Sequence, residues 1–227
     1  MTEVLAIIPA RGGSKGVLRK NIREYKGKPL IELTLGCVYG TQTVTRVVVS
    51  TEDEEIGLVA RSFTWDKLTI IPRPLELAQD DTPDLPVFVH ALDWLKENEA
   101  YIPDIVVHLR PTAPERTAKH IDDCVTMLQR SPGIDSVRTV VQPTQNPYKM
   151  WRIYEDGCIS PLIFGGHNEP YNMPRQLLPT VYWQNGYVDV VWTHVIRQQN
   201  SMTGKLIKPY VMDEGCIVDL DREWSDG

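Results

Sequence analysis

Short apolar runs alternate with longer amphipathic segments over the first 141 residues of the chain. The apolar runs have the length of buried parallel strands and lie at Val4–Pro9, 46–50, 69–71, 105–109 and Ser136–Val141. The segments between them carry apolar residues at helical spacing and lie at Leu30–Tyr39, 53–63, 83–97 and 118–130. This alternation predicts an α/β fold in which helices cover both faces of a mostly parallel sheet.

The alternation stops after Val141, and residues 142–184 are rich in proline, glycine and asparagine. Within them, the pair Asp156-Gly157 separates two apolar segments, which predicts a hairpin. We interpret 142–184 as a small insertion that forms a substrate lid or a dimerisation contact, within a single domain of residues 1–227. The elements that complete the sheet are expected at 187–191, Thr193–Gln199 (a short helix), Ile207–Val211 and 216–220.

Composition indicates an ordinary globular protein rather than a membrane or disulfide-rich one. With 42% hydrophobic residues, 227 residues can bury a full core without disulfides. The four cysteines are scattered and form no CxxC pair, so we expect reduced thiols and no structural zinc. No apolar stretch approaches the length of a membrane span, and no basic segment precedes the first apolar run. We therefore expect a cytoplasmic protein with no membrane partner.

Charge is distributed unevenly along the chain. The net charge of −6 argues against a general nucleic-acid-binding protein. The first 28 residues are nevertheless basic, with only Glu3 and Glu24 opposing seven cations: Arg11, Lys15, Arg19, Lys20, Arg23, Lys26 and Lys28. A local basic cluster on an acidic protein suits a small polyanion such as a nucleotide.

A glycine-rich loop, Arg11-Gly12-Gly13-Ser14-Lys15-Gly16, follows the first predicted strand, where open α/β sheets bind their ligands. Glycines let backbone N–H groups approach phosphates closely, and the basic side chains supply opposing charge. The loop matches neither the Walker pattern GxxxxGK(S/T) nor GxGxxG, so it predicts another kind of phosphate site.

The loop and two later segments resemble a known family. IIPARGGSKG at 7–16, followed by Lys20-Asn21, resembles the opening of the CMP-sialic acid synthetases and their cytidylyltransferase relatives. RPLELA at 73–78 resembles that family's RPxELA, and PRQLLP at 174–179 resembles its PRQxLP. The resemblance implies a Rossmann-like fold, a homodimer, and an enzyme that couples CTP to an acidic 2-keto sugar with release of pyrophosphate.

The resemblance also implies roles for residues of the nucleotide site. Arg11, Ser14, Lys15 and Lys20, with the backbone of Gly12 and Gly13, would hold the triphosphate, and Asn21 would reach towards the base. Arg73 would read cytosine, whose O2 and N3 acceptors suit an arginine fork, and Thr82 lies in the polar segment that follows.

The sugar site rests on a partial match. RPTAPER at 110–116 resembles the family's QPTSPLR, which lines the sugar pocket, with Arg110 in place of the glutamine. The other substrate-binding residues that the resemblance implies are Thr112, Lys149, Arg175 (for the carboxylate), Gln176 and Asn185, the last in a turn before the next strand.

Two carboxylates near the end of the chain predict a metal site. In an extended chain, Asp219 and Asp221 would face the same way, and paired carboxylates suit Mg²⁺ or Mn²⁺. The family's terminal D-x-D has this role. The residues expected to carry catalysis are therefore Arg11, Lys15, Lys20, Asp219 and Asp221.

Two alternatives remain open at this stage. One is a nucleotidyltransferase that uses another nucleotide or a sugar phosphate, and the other is a non-catalytic paralog that binds nucleotides. The sequence does not name the sugar acid or a general base, and we interpret its five histidines as structural.

Overall fold

The computed structural model describes residues 2–13, 19–166, 168–213, 215, 216, 218 and 220. Its eleven strands are β1 (Val4–Pro9), β2 (Glu24–Tyr25), β3 (Lys28–Pro29), β4 (Arg46–Thr51), β5 (Leu68–Pro72), β6 (Ile105–His108), β7 (Ser136–Val141), β8 (Trp151–Ile153), β9 (Ile159–Pro161), β10 (Trp183–Trp192) and β11 (Ile207–Val211). The α-helices of these residues are α1 (Leu30–Tyr39), α2 (Glu54–Arg61), α3 (Asp84–Glu99), α4 (Ala118–Gln129) and α5 (Thr193–Gln199).

Seven strands form the central sheet, in the order β11-β7-β10-β6-β1-β4-β5. The pairs β1–β4, β1–β6, β4–β5 and β7–β11 are parallel. Only β10 runs in the opposite direction among these seven, and it pairs antiparallel with β6 and β7. The prediction of a mostly parallel sheet is confirmed.

Helices cover both faces of this sheet, as predicted. Along β1, Val4, Ala6 and Ile8 belong to the core shared with α1, α2 and α4. Leu5 and Ile7 belong to the core shared with α3 and α5. This alternation is the two-residue period of a strand whose two faces are both buried.

Local chemistry fixes where the helices begin. Asp53 caps α2 by accepting a hydrogen bond from the backbone N–H of Ile56. Thr117 and His120 form a reciprocal capping box at the start of α4. His120 therefore has the structural role expected for the histidines.

The segment between β7 and β10 leaves the sheet and carries a separate hairpin. Strands β8 and β9 pair antiparallel, so the predicted hairpin is confirmed. Gly157 closes its turn with a φ of +80°, a conformation that glycine adopts without strain. The role of this insertion as a lid or dimer contact stays a prediction.

Two local predictions are wrong. Asn185 and Gly186 do not form a turn before a strand; they lie inside β10, where the pairing register with β7 shifts between Gln184 and Asp189. An Asn-Gly pair also suits such a bulge, because Gly186 has a φ of +72°. In addition, residues 216, 218 and 220 are not in a strand.

Within the described part of the chain, no helix is both long and apolar enough to cross a membrane.

Candidate active site

A pocket of about 290 Å³ opens at the carboxyl ends of β1, β5 and β6. This is the edge at which parallel α/β sheets bind ligands. Seven of the predicted site residues line the pocket: Arg11, Lys20, Asn21, Arg73, Thr82, Arg110 and Thr112. Residues distant in sequence therefore meet at one site because their strands end at the same edge.

Arg11 lines the pocket and is bonded by Asn21 at its backbone and by Asp80 at its side chain. Its Nη2 lies 2.8 Å from Asp80 Oδ1, and both side chains are partly exposed. The buried Asn21 donates its Nδ2 to the backbone oxygen of Arg11 at 2.8 Å. Asn21 therefore fixes the backbone from which Arg11 projects, and the Arg11–Asp80 pair is accessible to a competing anion.

Gly12 packs so closely that no other residue fits. A Cβ atom at this position would lie 2.2 Å from Asp53 Oδ2, and the Gly12 N–H donates to Glu52 Oε1 at 2.7 Å. Among the described residues, Gly13 has no such constraint, because none of their atoms lies within 4 Å of its Cβ position. The predicted phosphate ligands Ser14 and Lys15 lie outside the described residues.

Arg73 follows β5 and is only 6% exposed. Its Nε and Nη2 donate to Ser50, to Oγ at 3.1 Å and to the backbone oxygen at 2.6 Å. Burial lowers its pKa, which the Glu52 carboxylate partly offsets. Nη1 makes no hydrogen bond to another described residue, so one end of the guanidinium remains available to a ligand.

Charges of alternating sign form a network that reaches the pocket at Arg110 and Asp84. Arg110 donates to Asp189 Oδ2 at 2.8 Å and to Asp84 Oδ2 at 3.2 Å. Asp189 Oδ1 in turn accepts a hydrogen bond from Arg138 Nε at 2.7 Å. Burial acts to lower the pKa of Arg110, but Asp189 and Asp84 raise it overall. We call Arg138, Asp189, Arg110 and Asp84 the charged wall.

His108 lines the pocket beside this wall and is 2% exposed. Burial, together with the nearby Arg110, Arg138 and Arg116, holds its pKa well below the usual value. The ring packs edge-to-face on Phe88, and Nε2 is buried without a hydrogen-bond partner among the described residues. His108 is therefore a neutral imidazole at neutral pH.

Arg116 supports the loop beneath the pocket. Its Nη1 donates to the backbone oxygens of Tyr187, at 2.7 Å, and Arg110, at 3.2 Å, and its Nη2 donates to Thr34. These hydrogen bonds join β10, α1 and the loop after β6, and they are shielded from water because Arg116 is only 5% exposed. Arg116 thereby fixes the backbone that carries Arg110.

The sugar-site residues predicted in the insertion do not line this pocket. Lys149 Nζ donates to the backbone oxygens of Tyr171, at 3.0 Å, and Met173, at 2.8 Å. Arg175 donates to the backbone oxygens of Pro143 and Thr144, and Gln176 is exposed. In this structure these cations hold the insertion's own backbone.

Asn185 is buried and ties down the end of the chain. Its Nδ2 donates to the backbone oxygen of Cys216 at 2.9 Å and contacts the Met212 sulfur at 3.2 Å. Further along, the Leu220 N–H donates to the backbone oxygen of Thr112 at 2.9 Å. Leu220 thus reaches the loop that lines the pocket, and the described residues 216, 218 and 220 are not in the sheet.

The predicted metal ligands Asp219 and Asp221 lie outside the described residues. Among the residues that are described, no group of three or more His, Cys, Asp or Glu side chains is placed to hold a metal ion. The hydrogen bond between Leu220 and Thr112 is the observation that bears on this site, because Leu220 lies between the two aspartates in the sequence.

Several pocket residues were not predicted from the sequence. Asp80, Asp84 and His108 are among them, and Asp189 and Arg138 form the ion pairs that continue from Arg110. A usable signal existed for three of them, because His108, Arg138 and Asp189 are polar residues within otherwise apolar strands. Buried charges require partners, so such positions indicate a polar site.

A doubly covered α/β sheet with cations at the carboxyl ends of its parallel strands is an arrangement typical of nucleotide-binding α/β proteins. A cytidylyltransferase family model matches residues 5–150, which is more than half of the chain. The chain belongs to the cytidylyltransferase family, which confirms the resemblance found in the sequence.

Individual relatives agree with this assignment. The chain is 29% identical over 222 residues to an N-acylneuraminate cytidylyltransferase from Escherichia coli, covering 97% of this chain and 49% of that protein. It is 28% identical over 224 residues to a CMP-N,N'-diacetyllegionaminic acid synthase from Campylobacter jejuni, covering 98% and 92%. The chain thus spans about half the length of the first relative and most of the second.

A solved structure confirms the Rossmann-like fold. The structure of CMP:2-keto-3-deoxy-manno-octonic acid synthetase complexed with CTP aligns with a TM-score of 0.64 at 14% identity. The alignment covers 93% of this chain and 90% of that one. At this identity the likeness concerns the fold alone.

Proposed function

We propose that this protein is a CMP-sugar synthetase, which transfers the cytidylyl group of CTP to an acidic 2-keto sugar of the nonulosonic acid class. The observation that carries the proposal is the pocket itself, in which Arg11, Lys20, Asn21 and Arg73 meet at the carboxyl edge of the sheet. The named relatives support the same reaction class, since one acts on N-acylneuraminate and another makes CMP-N,N'-diacetyllegionaminic acid.

In the proposed reaction, a hydroxyl oxygen of the sugar attacks the α-phosphorus of CTP. The bond from that phosphorus to the bridging oxygen breaks, pyrophosphate leaves, and the attacking hydroxyl loses its proton. Arg11 and Lys20, with Lys15, Ser14 and the backbone of Gly12 and Gly13, would oppose the charge on the phosphates. Binding both reactants in one pocket would supply the orientation that the attack requires.

The nucleoside end of CTP is assigned to the side of the pocket formed after β5. Arg73 lines the pocket there with Nη1 uncommitted, and a guanidinium suits the O2 and N3 acceptors of cytosine. Thr82 and Asn21 line the same pocket and complete the proposed nucleoside contacts.

A divalent ion, Mg²⁺ or Mn²⁺, is proposed to bind through Asp219 and Asp221. Carboxylates provide the hard oxygen ligands that these ions prefer. The hydrogen bond from Leu220 to Thr112 supports this placement, because it brings the terminal segment to the pocket. When bound, the ion would neutralise phosphate charge.

The sugar is assigned to Thr112 and Arg110 at the pocket, and its carboxylate to Lys149 and Arg175 of the insertion. Both cations now bond neutral backbone oxygens, and an ionised carboxylate is a stronger acceptor that would replace them. Gln176 is proposed to contribute a further contact, and Asn185 to act by holding the terminal segment.

The proposal is tested by pyrophosphate release from the purified protein, with four nucleoside triphosphates combined with a panel of 2-keto sugar acids and sugar phosphates. We expect release only with CTP and a sugar acid, because Arg73 and the acid-binding cations select them. We expect chelation of divalent ions, or Asp219→Asn, to lower the rate by at least ~100-fold, given the size of a lost charge-stabilising group. Release that requires a sugar phosphate would contradict the proposal.

We further propose that the protein acts as a homodimer that forms through the insertion. Large apolar side chains are exposed there, including Ile153 at 80% and Phe164 at 73%. Exposed apolar side chains clustered in one segment are typical of an interface.

A further inference from the structure

The charged wall commits Arg110 to partners within the protein. Its Nη1 and Nη2 each hold a carboxylate, of Asp189 and Asp84 respectively. A bidentate pair between Arg110 and a ligand carboxylate would therefore have to displace one of them. Displacing Asp189 is unfavourable, because it is 5% exposed and a buried charge that loses a partner is strongly destabilising.

Asp84, in contrast, ends the charged wall inside the pocket. Its Oδ2 accepts from Arg110, and its side chain is 46% exposed. Its Oδ1 makes no hydrogen bond to any residue in the part of the chain that the structure describes. An ionised carboxylate is only an acceptor, so Oδ1 can accept a hydrogen bond from water or from a donor group of a ligand.

The position of Asp84 is fixed from two sides. Its backbone begins α3, whose next turn is anchored in the core by the buried Val87 and Phe88. Its carboxylate is held by Arg110, which is itself held by Asp189. A carboxylate held this firmly is suited to reading one particular group of a ligand.

Charge decides what kind of group this is. A phosphate or carboxylate of the ligand would be repelled by Asp84, and the phosphates are already assigned to Arg11 and Lys20 in the same pocket. The remaining polar groups of a nucleotide or a sugar acid are mainly hydroxyls, which donate well to a carboxylate. A carboxylate is a known partner of ribose hydroxyls in nucleotide sites.

We propose that Asp84 is a specificity-determining residue that accepts a hydrogen bond from a hydroxyl group of the bound ligand, and that Arg110 is the positioning residue that orients it. This inference rests on the proposed function, which supplies two sources of the hydroxyl, the ribose of CTP and the sugar acid.

The test compares Asp84→Ala and Asp84→Asn with the wild type. Calorimetry gives the affinity for CTP, 2'-deoxy-CTP and 3'-deoxy-CTP, and pyrophosphate release gives KM and kcat for the sugar acid. The matched control is Asp93→Ala. Asp93 also lies on α3, is 49% exposed and pairs with one arginine, Arg197, at 2.6 Å, but it is remote from the pocket lining.

Two results would support the proposal. If the hydroxyl belongs to ribose, Asp84→Ala weakens CTP binding about 10- to 100-fold, as expected for the loss of a hydrogen bond to a charged group. The same variant then weakens the binding of one of the two deoxy-CTP analogues much less, because that analogue lacks the hydroxyl. If it belongs to the sugar, CTP affinity is unchanged and KM for the sugar acid rises by a similar factor. Asp84→Asn should reduce the affected affinity less than Asp84→Ala does, because the amide oxygen of asparagine can still accept the hydrogen bond.

Arg110→Gln provides a second readout. If Arg110 acts by orienting Asp84, then Arg110→Gln should reduce the same affinity that Asp84→Ala reduces, and should add little to it in the double variant. Arg110→Lys should restore part of the loss.

The proposal is overturned if Asp84→Ala matches Asp93→Ala in its affinity for all three nucleotides and in its KM for the sugar acid. Failure of the proposed function is a different result, in which the wild type releases no pyrophosphate with any pair of substrates. Calorimetry with CTP, and with N-acetylneuraminic acid added to the CTP complex, requires no turnover, so it decides the role of Asp84 in that case as well.

Discussion

Asp189 shows how one residue organises the wall of the pocket. It enters the sheet through an apolar strand, β10, and is bonded by Arg110 and Arg138 from the two flanking sides. Gln184 Nε2 lies 3.4 Å from its Oδ2. Because the carboxylate is buried, its loss would leave two guanidinium groups without their common partner.

His108 makes a pH dependence of stability testable. Because burial lowers its pKa in the folded protein, the unfolded chain takes up the proton first as the pH falls below about 6.5. The contribution of this residue is therefore complete above about pH 6.5 and is lost as the pH falls towards its folded-state pKa.

We predict that His108→Gln reduces the slope of the unfolding free energy against pH by up to ~1.4 kcal/mol per pH unit as the pH falls below about 6.5. Urea unfolding at a series of pH values measures this slope. His194→Gln, which replaces an exposed histidine, is the matched control. Equal slopes for wild type and His108→Gln would show that the imidazole is not held neutral.

At the residue scale, the sequence predicted those pocket residues that belong to a recognisable motif. Arg11, Lys20, Asn21, Arg73 and Thr82 all line the pocket. Asp84 was missed because it lies in an acidic, polar run, DDTPD, with no pattern of its own. Its importance comes from Arg110, 26 residues further along, and such a pairing exists only in three dimensions.

At the scale of elements, the short strands β2 and β3 were not predicted, whereas β1, β4, β5, β6, β7 and α1 to α4 were predicted to within a few residues. Their apolar periodicity is clear because both faces of the sheet are buried. The bulge in β10 was mistaken for a turn, since an Asn-Gly pair is compatible with either. The direction of β10 was also beyond prediction, because a short apolar run does not reveal its orientation.

We predict that the insertion forms the interface of a homodimer. We expect the wild type to behave as a dimer in light scattering, and Ile153→Asp or Phe164→Asp to shift it towards the mass of one chain, because a charge placed in an apolar interface is costly. Leu58→Asp, at an exposed apolar residue of α2, is the matched control. A wild type that is monomeric at micromolar concentration contradicts this interface.

At the scale of the whole molecule, the sheet order explains the proposed division of the pocket. Strands β5 and β4 lie on one side of β1, and β6 and β10 lie on the other. Arg11, which follows β1, therefore lies between Arg73, which follows β5, and Arg110, which follows β6. This strand order favours the proposed arrangement, with the phosphates at the centre of the pocket, the base on one side and the sugar acid on the other.

The sheet edge was predictable because it follows from strand polarity alone. The separation of Lys149 and Arg175 from the pocket was not, because the path of a proline-rich insertion depends on its own backbone hydrogen bonds. The sequence therefore predicted which residues of the proposed nucleotide site line the pocket better than it predicted those of the proposed sugar site.

The most direct test of the central claim is mass spectrometry of the product formed from CTP and a 2-keto sugar acid, with phosphate species counted by ³¹P NMR. The account predicts a conjugate that contains CMP and the sugar acid, together with one pyrophosphate for each conjugate. CTP that is consumed without a conjugate, or a conjugate that retains the β-phosphate of CTP, would contradict it.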